Sequence, residues 1–406
     1  MSYLKKSFLF LSLFLSFSFL SAIEPTSSYK LYGFVRNDLY FNSRQNTEAL
    51  DGLFNMIPRP IELNTAGVDK YDVPNSQMLS ISTRLGIDFI GTQILGAKST
   101  AKIECDFAGV SSTYYIVRLR QAFLKLNWNK TELLVGQTWH PMFANLQPIT
   151  PALSVATPFQ PFNRSPQIRV TQKLGDKLSI LASASYQMQY MNQGPIGPSV
   201  SYMKTGLLPS LHLGMDYKSK SIVAGFGLDG KSLNINNVRF NSGAAVAYAG
   251  FTNKKFQVRA KTVLGQNMCD YLMVGGYGLS KDATDSKADY TNFTSTTSWL
   301  SVAYGAKIQV GIYGGFIKNL GSRKELLLTS GKVTAYGNGY YDATQLLLSK
   351  LYRIAPHITY NLPNFRLGFE YELTNATYGT IQTNGKVINP YDVNNHRALA
   401  TISYIF

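Results

Sequence analysis

The chain has 406 residues, 45% of them hydrophobic and only 15% charged, against about 25% charged in ordinary soluble domains. Two cysteines, Cys105 and Cys269, are too few for a disulfide framework and lack metal-site spacing, and the four histidines, His140, His212, His357 and His396, are scattered, so neither a zinc site nor any cofactor is expected. The formal net charge of +16 does not point to nucleic acid, because the basic residues form no separate domain and are interleaved with an apolar, period-two pattern.

Residues 1–22, MSYLKKSFLFLSLFLSFSFLSA, place Lys5 and Lys6 before an uncharged apolar run from Ser7 to Ala22. That is the basic n-region, apolar h-region and small-residue exit of a cleaved signal peptide, and the run is short for a span of about 20 apolar residues. The mature chain is expected to begin near Ile23 as a single domain, 23–406, outside the cytoplasm.

From there the chain reads as strands. Residues 97–107, AKSTAKIECDF, set Ala97, Ser99, Ala101, Ile103, Cys105 and Phe107 on one face and Lys98, Thr100, Lys102, Glu104 and Asp106 on the other, the period of two of a strand with two unlike surroundings. Sixteen segments are expected: 28–41, 78–90, 97–107, 115–127, 131–140, 166–174, 177–190, 208–218, 221–231, 239–252, 256–267, 297–305, 307–319, 348–361, 365–377 and 395–406. Their connections sort by parity. The even ones are tight, NK at 129–130, GD at 175–176, SK at 219–220, NKK at 253–255 and LPN at 362–364; the odd ones are mostly long, 42–77, 141–165, 191–207, 268–296, 320–347 and 378–394. Short turns on one side and long loops on the other belong to a transmembrane antiparallel β-barrel. A soluble sandwich has no reason to sort its loops this way.

The chain ends NHRALATISYIF, with Phe406, Tyr404, Ile402, Ala400 and Ala398 on one face. A last strand of this kind must pair with the first, SYKLYGFVRNDLYF, because lipid tolerates no open sheet edge. Trp128, Trp139 and Trp299 fall at expected strand ends, suited to an aromatic girdle. Ser99, Ala101 and Gln121 are expected to face outward, as small or weakly polar positions where part of the wall could meet protein instead of lipid.

Sixteen strands with a long third loop resemble the general trimeric porins. LYGFVRNDLYFNSR near the start, GQTWHPMF at 136–143 and the terminal SYIF resemble more particularly the DcaP-like porins. The resemblance covers the mature chain, which leaves no room between Ile23 and the first strand for the N-terminal coiled coil that such relatives can carry. It implies a homotrimer in the outer membrane of a Gram-negative bacterium, in contact with lipid and lipopolysaccharide, passing small and often anionic solutes.

In general porins the third loop folds into the barrel. Here it is 141–165, stiffened by Pro141, Pro148, Pro151, Pro158 and Pro161, with Pro166 just beyond. It holds no Asp or Glu, and Arg164 is its one formally charged residue. Many basic residues take the polar phase of expected strands: Arg36, Arg84, Lys98, Lys102, Arg118, Arg120, Arg169, Arg259, Lys261, Arg353 and Arg366. Some should pair with Asp38, Asp88, Glu104, Asp106 or Glu370; a surplus in a narrow lumen would concentrate anions. With Arg164 these are the candidate pore-lining, anion-binding residues, small carboxylates being an example of solute.

Other signals carry less. GFGLDGKS, 225–232, matches a phosphate-loop pattern, but LNINNVRF comes next where a helix is required. Asp282, Asp285 and Asp289 lack the spacing of a calcium loop. No compact catalytic signature is found, so no catalytic residue and no metal ligand are assigned and an enzyme is not expected. The alternatives to a channel are an outer-membrane barrel enzyme and a plugged structural or adhesive barrel acting through its loops; a dry plug would call for more apolar lumenal positions than the strand pattern supplies.

Overall fold

Sixteen antiparallel strands close into one barrel. The computed structural model describes residues 28–109, 116–144, 146–186, 190–284 and 288–406. The segment 1–22 lies outside the described residues, as do Asp285 and parts of the expected strands 115–127 and 177–190. The barrel strands are β1 (Ser28–Asn42), β2 (Arg84–Ile94), β3 (Ala97–Asp106), β4 (Arg118–Asn127), β5 (Thr131–Trp139), β6 (Arg164–Lys173), β7 (Leu178–Ser185) and β8 (Ser210–Lys218). The second half comprises β9 (Ile222–Ile235), β10 (Val238–Asn253), β11 (Phe256–Gln266), β12 (Tyr290–Gly305), β13 (Ile308–Ser322), β14 (Leu346–Leu362), β15 (Phe365–Ile381) and β16 (Val387–Ile405).

Each strand pairs with its neighbours in sequence, and β16 returns to β1 in the register Phe34↔Ile405 to Asn42↔Arg397. The closing seam is completed by Gly33 and Phe406, whose amides each donate to the other's carbonyl at 3.0 and 3.1 Å. No edge is left on the wall, as lipid demands. Alternation sorts the side chains: on β1, Leu31, Val35 and Leu39 are about half exposed on the outer wall, while Arg36, Asp38 and Tyr40 are buried inside. The expected phase of the last strand holds, with Ile402, Tyr404 and Phe406 outward and Arg397, Leu399, Thr401 and Ser403 inward.

The short turns are as tight as the parity pattern requires. Leu95 and Gly96, between β2 and β3, both take positive φ (52° and 76°), the two-residue hairpin turn that matches strand twist. On the opposite side two connections are shorter than expected. Asn236 and Asn237 turn β9 directly into β10 with φ of 49° and 63°, and the expected loop 378–394 is mostly ladder, leaving 382–386 between β15 and β16. The outward positions Asp392, Asn394 and His396 are exposed and polar, which hid this stretch from an apolar alternation.

Three outward assignments are overturned. A register shift at Glu104/Cys105 makes Arg120 an extra residue on β4 and sets Gln121 opposite lumenal Glu104; such a bulge flips the phase of the residues beyond it. Gln121 accepts a hydrogen bond from the buried Thr138 hydroxyl at 2.7 Å. Trp139 and Trp299 are not girdle residues either. Trp299 is 3% exposed beside Lys261 and Tyr313, and Trp139 stacks on Phe143 with ring centroids 3.9 Å apart. GFGLDGKS lies within β9, which excludes a phosphate loop.

Candidate pore constriction

A loop inside a barrel has no strand to pair with, so its backbone groups need other partners. The third loop leaves β5 at His140, makes the helical turn Pro141–Ala144, and crosses to the far wall, where lumenal side chains hold its carbonyls. Lys261 on β11 donates to Met142 O and Phe143 O at 2.9 and 3.2 Å. Arg259 donates to Gln147 O at 3.0 Å, and Ser301 Oγ accepts from the Ile149 amide at 3.0 Å. Arg36 donates to Pro151 O at 2.8 Å. Arg353, 1% exposed, donates to Val155 O and Thr157 O, both at 2.8 Å. The loop is therefore in the lumen, and its attachment points run from β11 through β14 to β1.

The first loop enters as well, which the sequence did not disclose. Its hairpin, Asn46–Ala49 with Phe54–Pro58, meets the same arginine, which donates to Asn55 O and Met56 O at 2.8 and 3.1 Å. Ser154 Oγ donates to Leu53 O at 2.6 Å, tying loop to loop. Phe54, Ile57, Met142, Phe143, Phe159 and Phe162 gather with wall residues Tyr313 and Leu351 into a buried apolar cluster. The lumen is thus more apolar than the strands alone foretold, because the loops bring the apolar side chains in.

One lumenal cavity borders β2, β3 and β4. Arg118 grips Asp106 with two bonds, at 3.0 and 2.7 Å. Arg120 bridges Glu104 at 2.8 Å and Asp106 at 2.6 Å. Arg84 stands 3.8 Å from Glu104. Three guanidiniums share two carboxylates, leaving one positive charge. They line a cavity of about 140 Å³ whose opposite side is Leu53 and Phe54 of the first loop and Phe143, Gln147, Leu153 and Phe162 of the third.

The other candidates divide by position. Lys102 pairs with Asp88 at 2.7 Å and donates to Tyr32 Oη at 2.8 Å. Arg169 holds Trp139 O and Gln167 Oε1 at the root of the third loop. Arg164 is fully buried there, its guanidinium 4.5 Å from the Trp139 ring centroid. Lys98 and Arg366 lie near the short-turn end, Arg366 donating to Asn361 Oδ1 at 2.8 Å; neither has an ion pair among the described residues. The constriction thus brings Arg84, Arg118 and Arg120 together, whereas Arg36, Arg259, Lys261 and Arg353 fasten the loop. A separate hollow of about 960 Å³ is bordered by exposed Ile168, Leu211, Leu213 and Leu228 of the outer wall and by the buried His212, Asp229 and Lys231 of the same strands.

His140 and His212, far apart in sequence, meet around Asp229, contrary to the expectation from their spacing. The phase of β8 and β9 could have placed His212 and Asp229 inside; nothing in the sequence brings His140 to them.

No protein-family model matches the sequence, and no curated protein does. Solved structures do match. The outer membrane channel DcaP of Acinetobacter baumannii is 18% identical, with a TM-score of 0.67 over 94% of this chain and 97% of that one. OmpT of Vibrio cholerae in its trimer form is 10% identical (TM-score 0.53, 94% and 99% covered). OmpF of Salmonella typhi, in complex with daunomycin, is 13% identical (TM-score 0.53, 93% and 97% covered). The fold is that of these outer-membrane barrels, and its closed wall and apolar exterior are those of a barrel that spans a lipid bilayer.

Proposed function

We propose that the protein is a diffusion channel for small hydrophilic solutes that favours anions, small carboxylates among them, and acts as a homotrimer without catalysis after removal of residues 1–22. The carrying observation is the asymmetry of the constriction: a third loop without Asp or Glu faces a wall where Arg84, Arg118 and Arg120 outnumber Glu104 and Asp106. One surplus charge in a narrow, low-dielectric passage raises the local anion concentration. The likeness to a channel and to a barrel solved as a trimer supports conduction and trimerisation.

Planar-bilayer recording under a salt gradient tests the reading. An anion-directed reversal potential with insertion in three-step units is the expected result. A cation-directed potential would overturn the charge assignment while leaving the channel. A second reading, a plugged barrel acting through its outer loops, is favoured by the apolar cluster that the first and third loops build in the lumen; folded barrels that conduct nothing would overturn the channel and leave this reading beside a barrel enzyme.

A further inference from the structure

Three buried side chains converge at the root of the third loop. His212 on β8 and Asp229 on β9 are directly opposed in register, and both point inward. His140 comes from the loop, its amide donating to Asn163 O at 3.0 Å across the loop's neck. His140, His212 and Asp229 are 2%, 5% and 8% exposed. His140 Nε2 lies 3.3 Å and His212 Nδ1 3.6 Å from Asp229 Oδ2, and the three atoms are within 4.8 Å of one another. All three lack an aligned hydrogen-bond partner among the described residues. Their contacts with one another, at 3.3 and 3.6 Å, are long and poorly aligned, and three sets of buried lone pairs that converge on one point define a place for a ligand that accepts them.

We propose that His140, His212 and Asp229 form a binding site for a divalent transition metal of the Zn²⁺ class. Two imidazoles and one carboxylate are a donor set for such ions; hard cations such as Mg²⁺ and Ca²⁺ prefer oxygen alone. Bonds of about 2.0–2.2 Å require donors about 3–4 Å apart, so the two measured edges already fit and the third closes with a small ring rotation. The carboxylate is prepared for one-oxygen ligation. Its Oδ1 accepts from the Tyr271 hydroxyl at 2.8 Å and from the Ser210 hydroxyl at 3.2 Å, while Oδ2 faces the imidazoles. Such outer partners orient metal ligands. Three protein donors leave a coordination position for water or a passing solute.

The site bears on the pore. Ligation through Nε2 puts the remaining His140 ring proton on Nδ1, and so gives up the 3.3 Å contact that Nδ1 now receives from the Met142 amide. Met142 belongs to the turn whose carbonyls Lys261 holds. Metal binding therefore re-seats the root of the constriction loop and pins it to β8 and β9.

The test uses purified, folded protein stripped with a chelator and titrated with Zn²⁺ and, for its spectrum, Co²⁺. Expected are saturation at one ion per chain, a Co²⁺ ligand-field spectrum of a nitrogen–oxygen site, and a change in single-channel conductance on adding Zn²⁺. His212→Ala and Asp229→Asn should each weaken binding at least ten-fold, and His357→Ala, a buried histidine on β14, should leave it unchanged. Heat-modifiable migration on gels reports whether each variant is folded. If one fails to fold, the wild-type stoichiometry and spectrum still decide. Absence of saturable uptake by the wild type, or uptake unaffected in a folded His212→Ala barrel, overturns the site; the proposal does not depend on anion preference.

Discussion

Replacing Arg353 with methionine should loosen two loops without breaking the barrel. The side chain donates to four loop carbonyls, those of Asn55, Met56, Val155 and Thr157, at 2.8–3.1 Å, and it pairs with Glu372 at 3.2 Å. Hydrogen bonds from a charged donor contribute about 1.5–3 kcal/mol each, but they are not additive, and breaking a buried pair costs about 3–5 kcal/mol as a whole. Arg353 and Glu372 both stand on the wall, on β14 and β15, so their pair is lost from docked and undocked loops alike. What the loops themselves lose is the four carbonyl bonds, which, counted well short of additively, come to about 3 kcal/mol. At 1.36 kcal/mol per decade, that raises the undocked fraction of the loops roughly 150-fold. The β14 backbone pairs are untouched, so heat-modifiable migration should persist. Single-channel recordings should show larger, noisier conductance, and limited proteolysis should cut within 43–60 and 146–163 faster than in the wild type. Unchanged noise together with unchanged cleavage would refute the assignment of Arg353 as the staple of both loops.

Arg120→Gln should leave Arg84 and Arg118 balanced against Glu104 and Asp106 and lower the anion-to-cation permeability ratio several-fold at about 0.1 M salt; the difference should shrink near 1 M, where the Debye length falls from about 10 to about 3 Å. Gly33→Ala should depress the yield of folded barrel in refolding assays, because a Cβ there would lie 2.3 Å from the Arg84 carbonyl oxygen and 2.9 Å from the Phe406 ring at the seam. Cys269, in the loop after β11, has its thiol pushed up to about 12 by burial. It therefore stays protonated at pH 8, and iodoacetamide should modify it in the folded barrel far more slowly than in denatured chain, as mass spectrometry would read.

The wall was legible in the sequence because lipid and lumen impose a two-residue period on every strand, and because loop length records which side of the membrane a connection faces. Where the period failed, a local event interrupted it. The extra residue Arg120 turned Gln121 inward, and the polar outward face of β16 concealed a ladder. The lumen was less legible because its contents come from the loops. The acid-free third loop and its basic wall could be read residue by residue, whereas the first-loop hairpin carries no periodic signal that distinguishes an inward from an outward fold. Trp139 and Trp299 show the same limit: an aromatic near an expected strand end suits a girdle or a packed lumen equally well.

The basic excess of the chain has two uses, and only one concerns solutes. Arg36, Arg259, Lys261 and Arg353 direct their donors to backbone carbonyls of the third loop. A loop laid across a lumen presents many carbonyls and no strand to pair them, and long cationic side chains reach them from the wall with strong, charge-assisted bonds. Neutral donors would hold the loop less firmly, while acidic residues on the loop would compete for the same cations. The absence of Asp and Glu between 141 and 165 is thus as much a condition for docking as a filter for ions. Net charge alone then overstates the field a solute meets. Of the charges that line the cavity, one positive charge is left among Arg84, Arg118 and Arg120 after Glu104 and Asp106 are matched, with Arg164 behind the Trp139 and Phe162 rings adding to it, and selectivity should respond to these six residues far more than to the four that hold the loop.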